Sequence, residues 1–153
     1  MLWALVYLVG LIATHYLVGQ GMLAESWALW AWLIILTISQ YSIGMSRSIK
    51  SATVKSGGMI TCVLFFVLGV ALLLNFYSVG TATSAAFFAI FLVLNGAMIF
   101  AVGHEMKRAD WTMYGLYSVA LGIVFPGWFA TAPYLGAALI LGVPLLIGTM
   151  WKR

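Results

Sequence analysis

Charge is what this chain has least of: seven Lys or Arg, three Asp or Glu and two His, a charged fraction of 7%. A soluble domain carries about 25%, so a water-facing surface cannot be built from this composition. Cysteine is nearly absent too. The lone Cys62 sits in an apolar run, which excludes an intrachain disulfide and a cysteine-based metal site. No P-loop, HExxH, Gly-x-Ser-x-Gly or CxxC motif occurs. No Asp, Glu, Lys or Arg falls at the centre of an apolar run, where proton relays and ion-coupled transporters usually place one. The opening MLWALVYLVGLIATHYLVGQG lacks the basic residues and small-x-small site of a cleaved signal, so it is expected to be a retained first span.

What is present is apolar. Hydrophobic residues make up 65% of the chain, against roughly 45–50% in soluble domains. They fall into six runs, at about 2–19, 27–43, 58–77, 83–102, 111–129 and 133–150. Each has the roughly 17–20 residues that cross a 30 Å hydrocarbon core as a helix. None alternates as a barrel strand would. The expected fold is therefore all-α: one transmembrane domain, residues 1–153, a polytopic membrane bundle of six helices. Arg47, Lys50 and Lys55 follow the second run, Lys107 and Arg108 the fourth, and Lys152 and Arg153 the sixth, while the opposite loops hold only Glu25. The positive-inside rule then predicts a multi-pass cell-membrane protein with both termini cytoplasmic. The net charge of +4 is thus a topological signal and not one for nucleic acid.

Ser26, Ser56, Thr83 and Asp110 precede apolar runs and are expected to cap helices. Trp27, Trp30, Tyr77, Trp111, Trp128, Tyr134 and Trp151 lie near run ends, as interfacial rings do. Pro126 is expected to end or kink the fifth helix, and Pro133 to open the sixth. Small residues line single helix faces: Ala85, Ala89, Gly96 and Gly103 in the fourth, Gly115, Ser118 and Gly122 in the fifth, with Gly136, Gly142 and Gly148 along the sixth. Such faces let helices approach closely in lipid. Rings at Trp3, Trp30, Trp32, Phe65, Phe66, Phe87, Phe88 and Phe91 could face lipid or protein.

Three hairpins, about 1–50, 57–108 and 111–153, each end in basic residues. VLFFVLGVALLLNF (63–76) parallels YSVALGIVFPGWF (117–129), and FAIFLVLNGAMIF (88–100) parallels LGAALILGVPLLIG (135–148). In LGVALLLN, LNGAMIF, LGIVF and ILGVPLLIGTMWKR, residues 57–153 resemble the HdeD-like acid-resistance membrane proteins. That resemblance implies a six-span bundle without assigned catalytic residues, and the first hairpin departs from it.

The stretch VGHEMKRADW holds five of the chain's few ionisable residues: His104, Glu105, Lys107, Arg108 and Asp110. Read as a cytoplasmic loop, it gives Asp110 a capping role, Lys107 and Arg108 the topological charge, and Glu105 a position within reach of either cation. No nucleophile stands nearby, so no catalytic residue is expected. His15, in ATHYLVG, lies within the first span and is a candidate polar contact. It is some 20 Å along the helix from His104's end, so one haem or metal cannot take both, and no cofactor or metal is expected. Asn75 and Asn95 are the other candidate pore or inter-helix contacts. The partners expected are the lipid bilayer and other membrane subunits, or a homo-oligomer. The leading expectation is a non-catalytic accessory or structural subunit of a membrane complex; the alternative is a small-solute channel or transporter using Asn95, Asn75 and His15.

Overall fold

In a computed structural model that describes residues 2–45, 49–75 and 81–150, all regular structure is helical. Six helical rods follow one another: α1 (Leu2–Gly19), α2 (Glu25–Gly44), α3 (Ala52–Asn75), α4 (Thr81–Glu105), α5 (Ala109–Trp128) and α6 (residues 133–150). Four stretches, Leu2–Gly19, Glu25–Gly44, Ala52–Asn75 and Ala82–Glu105, are long and apolar enough to cross a membrane, and Pro133–Ile147 is apolar but shorter. In α5, Asp110 and Pro126 interrupt the apolar pattern, and the rod ends at Trp128, two residues past the proline. Arg47, Tyr77, Trp151, Lys152 and Arg153 lie outside the described residues.

The helices reach further than the apolar runs. α3 starts at Ala52, six residues before its run, and so carries Lys55 and Ser56 within it. A helix need not stop where hydrocarbon stops, because polar side chains of its first turns face the headgroup region. The expected caps move accordingly. Ser51, not Ser56, accepts the Val54 N–H at its Oγ (3.3 Å), while Ser56 donates to the Thr53 carbonyl within the helix. Ala24 and Arg108 hold the N-cap positions of α2 and α5 without a side-chain cap. Ser26, Thr83 and Asp110 all fall inside first turns.

α4 is central, packing against α2, α3, α5 and α6. Among the described residues its contact with α5 is the most extensive between two helices, because the small faces of both meet. A Cβ on Gly115 would lie 2.4 Å from the Phe100 nitrogen, one on Gly103 2.5 Å from the Thr112 nitrogen, and one on Gly96 2.8 Å from the Gly115 oxygen. Backbone meets backbone here, which is how association proceeds in lipid without a hydrophobic driving force.

Of the eight rings that could have faced lipid or protein, five are buried: Trp32, Phe65, Phe87, Phe88 and Phe91. Phe65, Phe87, Phe88, Phe91 and Phe125 are fully buried and form, with Tyr134, a chain of edge-on and tilted contacts with centroids 5.1–6.3 Å apart. Such pairs contribute about 0.5–1.5 kcal/mol each beyond burial. Trp32 is buried as well, whereas Phe66 remains 44% exposed on the outer face of α3.

α1 packs mainly on α6, each through a π-helical turn, Val6–Gly10 against Ala138–Gly142, and only lightly on α2. Pro144 has no N–H to give the Ile140 carbonyl, and the widened turn lies just before it. Gly142 sits on Leu8, where a Cβ would be 3.0 Å from the Leu8 Cβ.

Candidate functional site

Among the described residues few polar groups are buried, and Ser39 and Gln40 of α2, Asn95 of α4 and Ser118 of α5 are four of them. α2 and α4 run in the same direction: Glu25, opening α2, accepts a hydrogen bond from Ser84 in the first turn of α4. Towards their other ends, Gly44 of α2, Gly58 of α3 and Met98 of α4 converge. A Cβ on Gly44 would lie 3.3 Å from Met98 Sδ and 3.4 Å from Gly58 Cα. One turn back along each helix stand Gln40 and Asn95, which helical periodicity therefore places at one depth on facing surfaces.

Gln40 is 0% exposed, and neither its Nε2 nor its Oε1 has a hydrogen-bond partner. Asn95 is 3% exposed, and its Oδ1 is also unpartnered. Ser118, on the α5 face that covers Gly96, is buried with an unpartnered Oγ. Beside Gln40, Ser39 donates to the Leu36 carbonyl (3.0 Å) and is hydrogen-bonded to the Tyr7 hydroxyl of α1. On the α3 side, Cys62 Sγ donates to the Thr37 carbonyl at 3.5 Å. The layer is neutral. Its amides can both donate and accept, which suits water or a small uncharged hydrogen-bonding molecule.

The other sequence candidates lie apart from it. Asn75 is exposed and donates from Nδ2 to the Ala71 carbonyl of its own helix (2.7 Å). His15 is half-buried, edge-on to Tyr16 at 5.8 Å. His104 is exposed and stacked on Phe100 at 6.3 Å. Glu105 was expected near Lys107 or Arg108, but its Oε1 accepts the Ser51 N–H at 2.8 Å, tying the end of α4 to the start of α3, and its Oε2 is buried without a partner. The carboxylate satisfies an N–H that the helix itself cannot, at the end where the helix dipole favours negative charge. Arg108 pairs instead with Asp110 and lies 5.2 Å over the Trp111 ring. No group of three His, Cys, Asp or Glu able to hold a metal occurs among the described residues.

Sequence reasoning found Asn95 but passed over Gln40. The available signal was one glutamine inside the apolar stretch LIILTISQYSIG.

Between α1 and α2 an apolar groove of about 570 Å³ opens, lined by Leu5, Val9, Ala28, Ala31 and Ile35 among others. Gly10 forms part of it and lies against Trp32, whose Nε1 donates to Thr14 Oγ1 (3.0 Å). Thr14 in turn donates to the Gly10 carbonyl at 2.8 Å, so the polar groups of both Trp32 and Thr14 in the lining are already engaged.

No family model, no curated protein and no solved structure matches this chain.

Proposed function

We propose that the chain is a six-span integral membrane protein of the cell membrane, both termini cytoplasmic, acting without catalysis as an accessory or structural subunit of a larger membrane assembly. The six helical rods and the resemblance of residues 57–153 to HdeD-like proteins support the span count. The observation that carries the functional reading is the groove between α1 and α2. Its lining is apolar and its polar groups are internally bonded, so it offers a partner shape and not chemistry. Gly10, Ala28 and Ala31 keep it low enough for another transmembrane helix to approach closely. The partner is a helix of another subunit, or of a second copy.

A photo-crosslinking residue at Ala31, followed by extraction in mild detergent and native mass determination, tests this. One reproducible protein adduct is expected from Ala31, and none from Val63 on the outer face of α3. Lipid adducts alone at both positions would remove the subunit reading.

A second reading is favoured by the unpartnered amide of Gln40 and the unpartnered amide oxygen of Asn95: a channel or transporter for a small neutral solute, which needs no buried charge. In proteoliposomes, Asn95→Leu should then abolish glycerol or urea flux while the protein still inserts. Flux equal to the unaltered protein, or none in either, would end this reading.

A further inference from the structure

The turn joining α4 to α5 leaves a cleft of about 370 Å³ at the end of the bundle that carries Lys50, Lys55, Lys107 and Arg108. His104, Lys107 and Arg108 line it, with Gly103, Thr112 and Met113. At its base the two backbones touch, since a Cβ on Gly103 would lie 2.5 Å from the Thr112 nitrogen. Gly103 contributes no side chain to fill the space above that contact.

The charges around the cleft are unevenly committed. Arg108 is fixed by Asp110 and by the Trp111 ring, and it balances that carboxylate. Glu105 is bonded to Ser51 on α3. Thr112 Oγ1 donates to the Arg108 carbonyl at 3.1 Å. What remains is one cation, Lys107, beside the His104 imidazole, an N–H donor stacked on Phe100.

Lys107 also occupies an unusual backbone position. Its φ is 52°, in the left-handed region, where α4 closes with Arg108 N–H on the Gly103 carbonyl (2.8 Å) and Lys107 N–H on the His104 carbonyl (3.2 Å). Glycine is the easy residue for this closure. A lysine held there carries backbone strain that a glycine would not. Further along α4 and α5 from that end, Phe100, Met113 and Leu116 are exposed apolar side chains, Met113 at 65%. A cation above and an apolar strip below are the pattern of an amphiphile's site.

We propose that this cleft binds the headgroup of an anionic phospholipid, with Lys107 and His104 holding the phosphate and the acyl chains lying over Phe100, Met113 and Leu116. A zwitterionic headgroup brings its own cation towards Lys107 and is disfavoured. Free phosphate gains nothing from the apolar strip.

Native mass spectrometry of the whole protein in mild detergent, titrated with phosphatidylglycerol or phosphatidylcholine, tests the site. Phosphatidylglycerol should be retained preferentially. Lys107→Gly should weaken its apparent affinity about fivefold, the contribution of one basic residue near an anionic surface. This variant suits the backbone at its position, so it should fold, and its melting temperature checks that. Lys55→Gln, at the same end but outside the cleft, should bind the lipid as the unaltered protein does. Equal retention of both lipids, unchanged binding by Lys107→Gly, or equal loss in Lys55→Gln would overturn the proposal. Displacement by inorganic phosphate at the concentration of the lipid would overturn it too, making this a free-anion site.

Discussion

Gln40 buries a complete amide with no hydrogen-bond partner at either end. Each such group costs about 1–3 kcal/mol relative to a satisfied one, and lipid offers it no water. Gln40→Leu keeps much of the side-chain volume and removes both orphan atoms. Its thermal unfolding in detergent should therefore occur at the same or a higher temperature, by up to about 3 kcal/mol of added stability. A marked fall would mean that the amide has a partner in the bilayer. Asn95 was legible in the sequence as a polar residue deep in an apolar run. Gln40 was no harder to see, but it lies near the basic end of its helix, where an amide passes for an interfacial residue. Only the convergence of Gly44, Gly58 and Met98 shows that this depth is interior. Glu105 went astray for a related reason. Its nearest charges along the chain are cations, yet the N–H it satisfies belongs to Ser51, fifty-four positions away in the chain.

Among the elements, the pair α4 and α5 depends on glycine for contact and not for conformational freedom. Gly115→Ala would press a Cβ to 2.4 Å from the Phe100 nitrogen, and a backbone atom cannot turn aside. The variant should lose about 1–3 kcal/mol or more, seen as a lower unfolding temperature in the same detergent. Gly57→Ala is the contrast: nothing lies within 4 Å of its Cβ. It should gain up to about 1 kcal/mol from helix propensity alone. The spacing of Gly115, Ser118 and Gly122 showed in the sequence that this helix has a face for close approach, but not that α4 would meet it. Helix limits were less legible. Hydropathy marks the hydrocarbon boundary, while α3 continues past it through Lys55 and Ser56 to Ser51.

At the scale of the molecule, charge separates the two ends. Glu25 meets Ser84 at one end, and Lys50, Lys55, Lys107 and Arg108 gather at the other around the Glu105–Ser51 contact. This asymmetry was plain in the sequence, because a chain with so few charges can spend them only outside its apolar runs. Orientation follows from it as a prediction. In a Cys62→Ala background, Gln20→Cys should react with a membrane-impermeant maleimide on intact cells, and Lys55→Cys only after lysis. The reverse pattern would invert the topology. The partnership of α1 with α6 and the aromatic interior were not legible: neither run length nor composition says which helices are neighbours.

The facing π turns of α1 and α6 bear on how the molecule is made. During synthesis α1 enters the bilayer before any other described helix, but its main packing surface belongs to α6, more than a hundred residues later. At translation rates of about 5–20 residues per second, α1 waits of order ten seconds among lipids before its neighbour emerges. The α4–α5 hairpin can close as soon as it is inserted. Assembly order therefore runs against chain order, and a chaperone or partner helix acting on α1 has that interval in which to engage it.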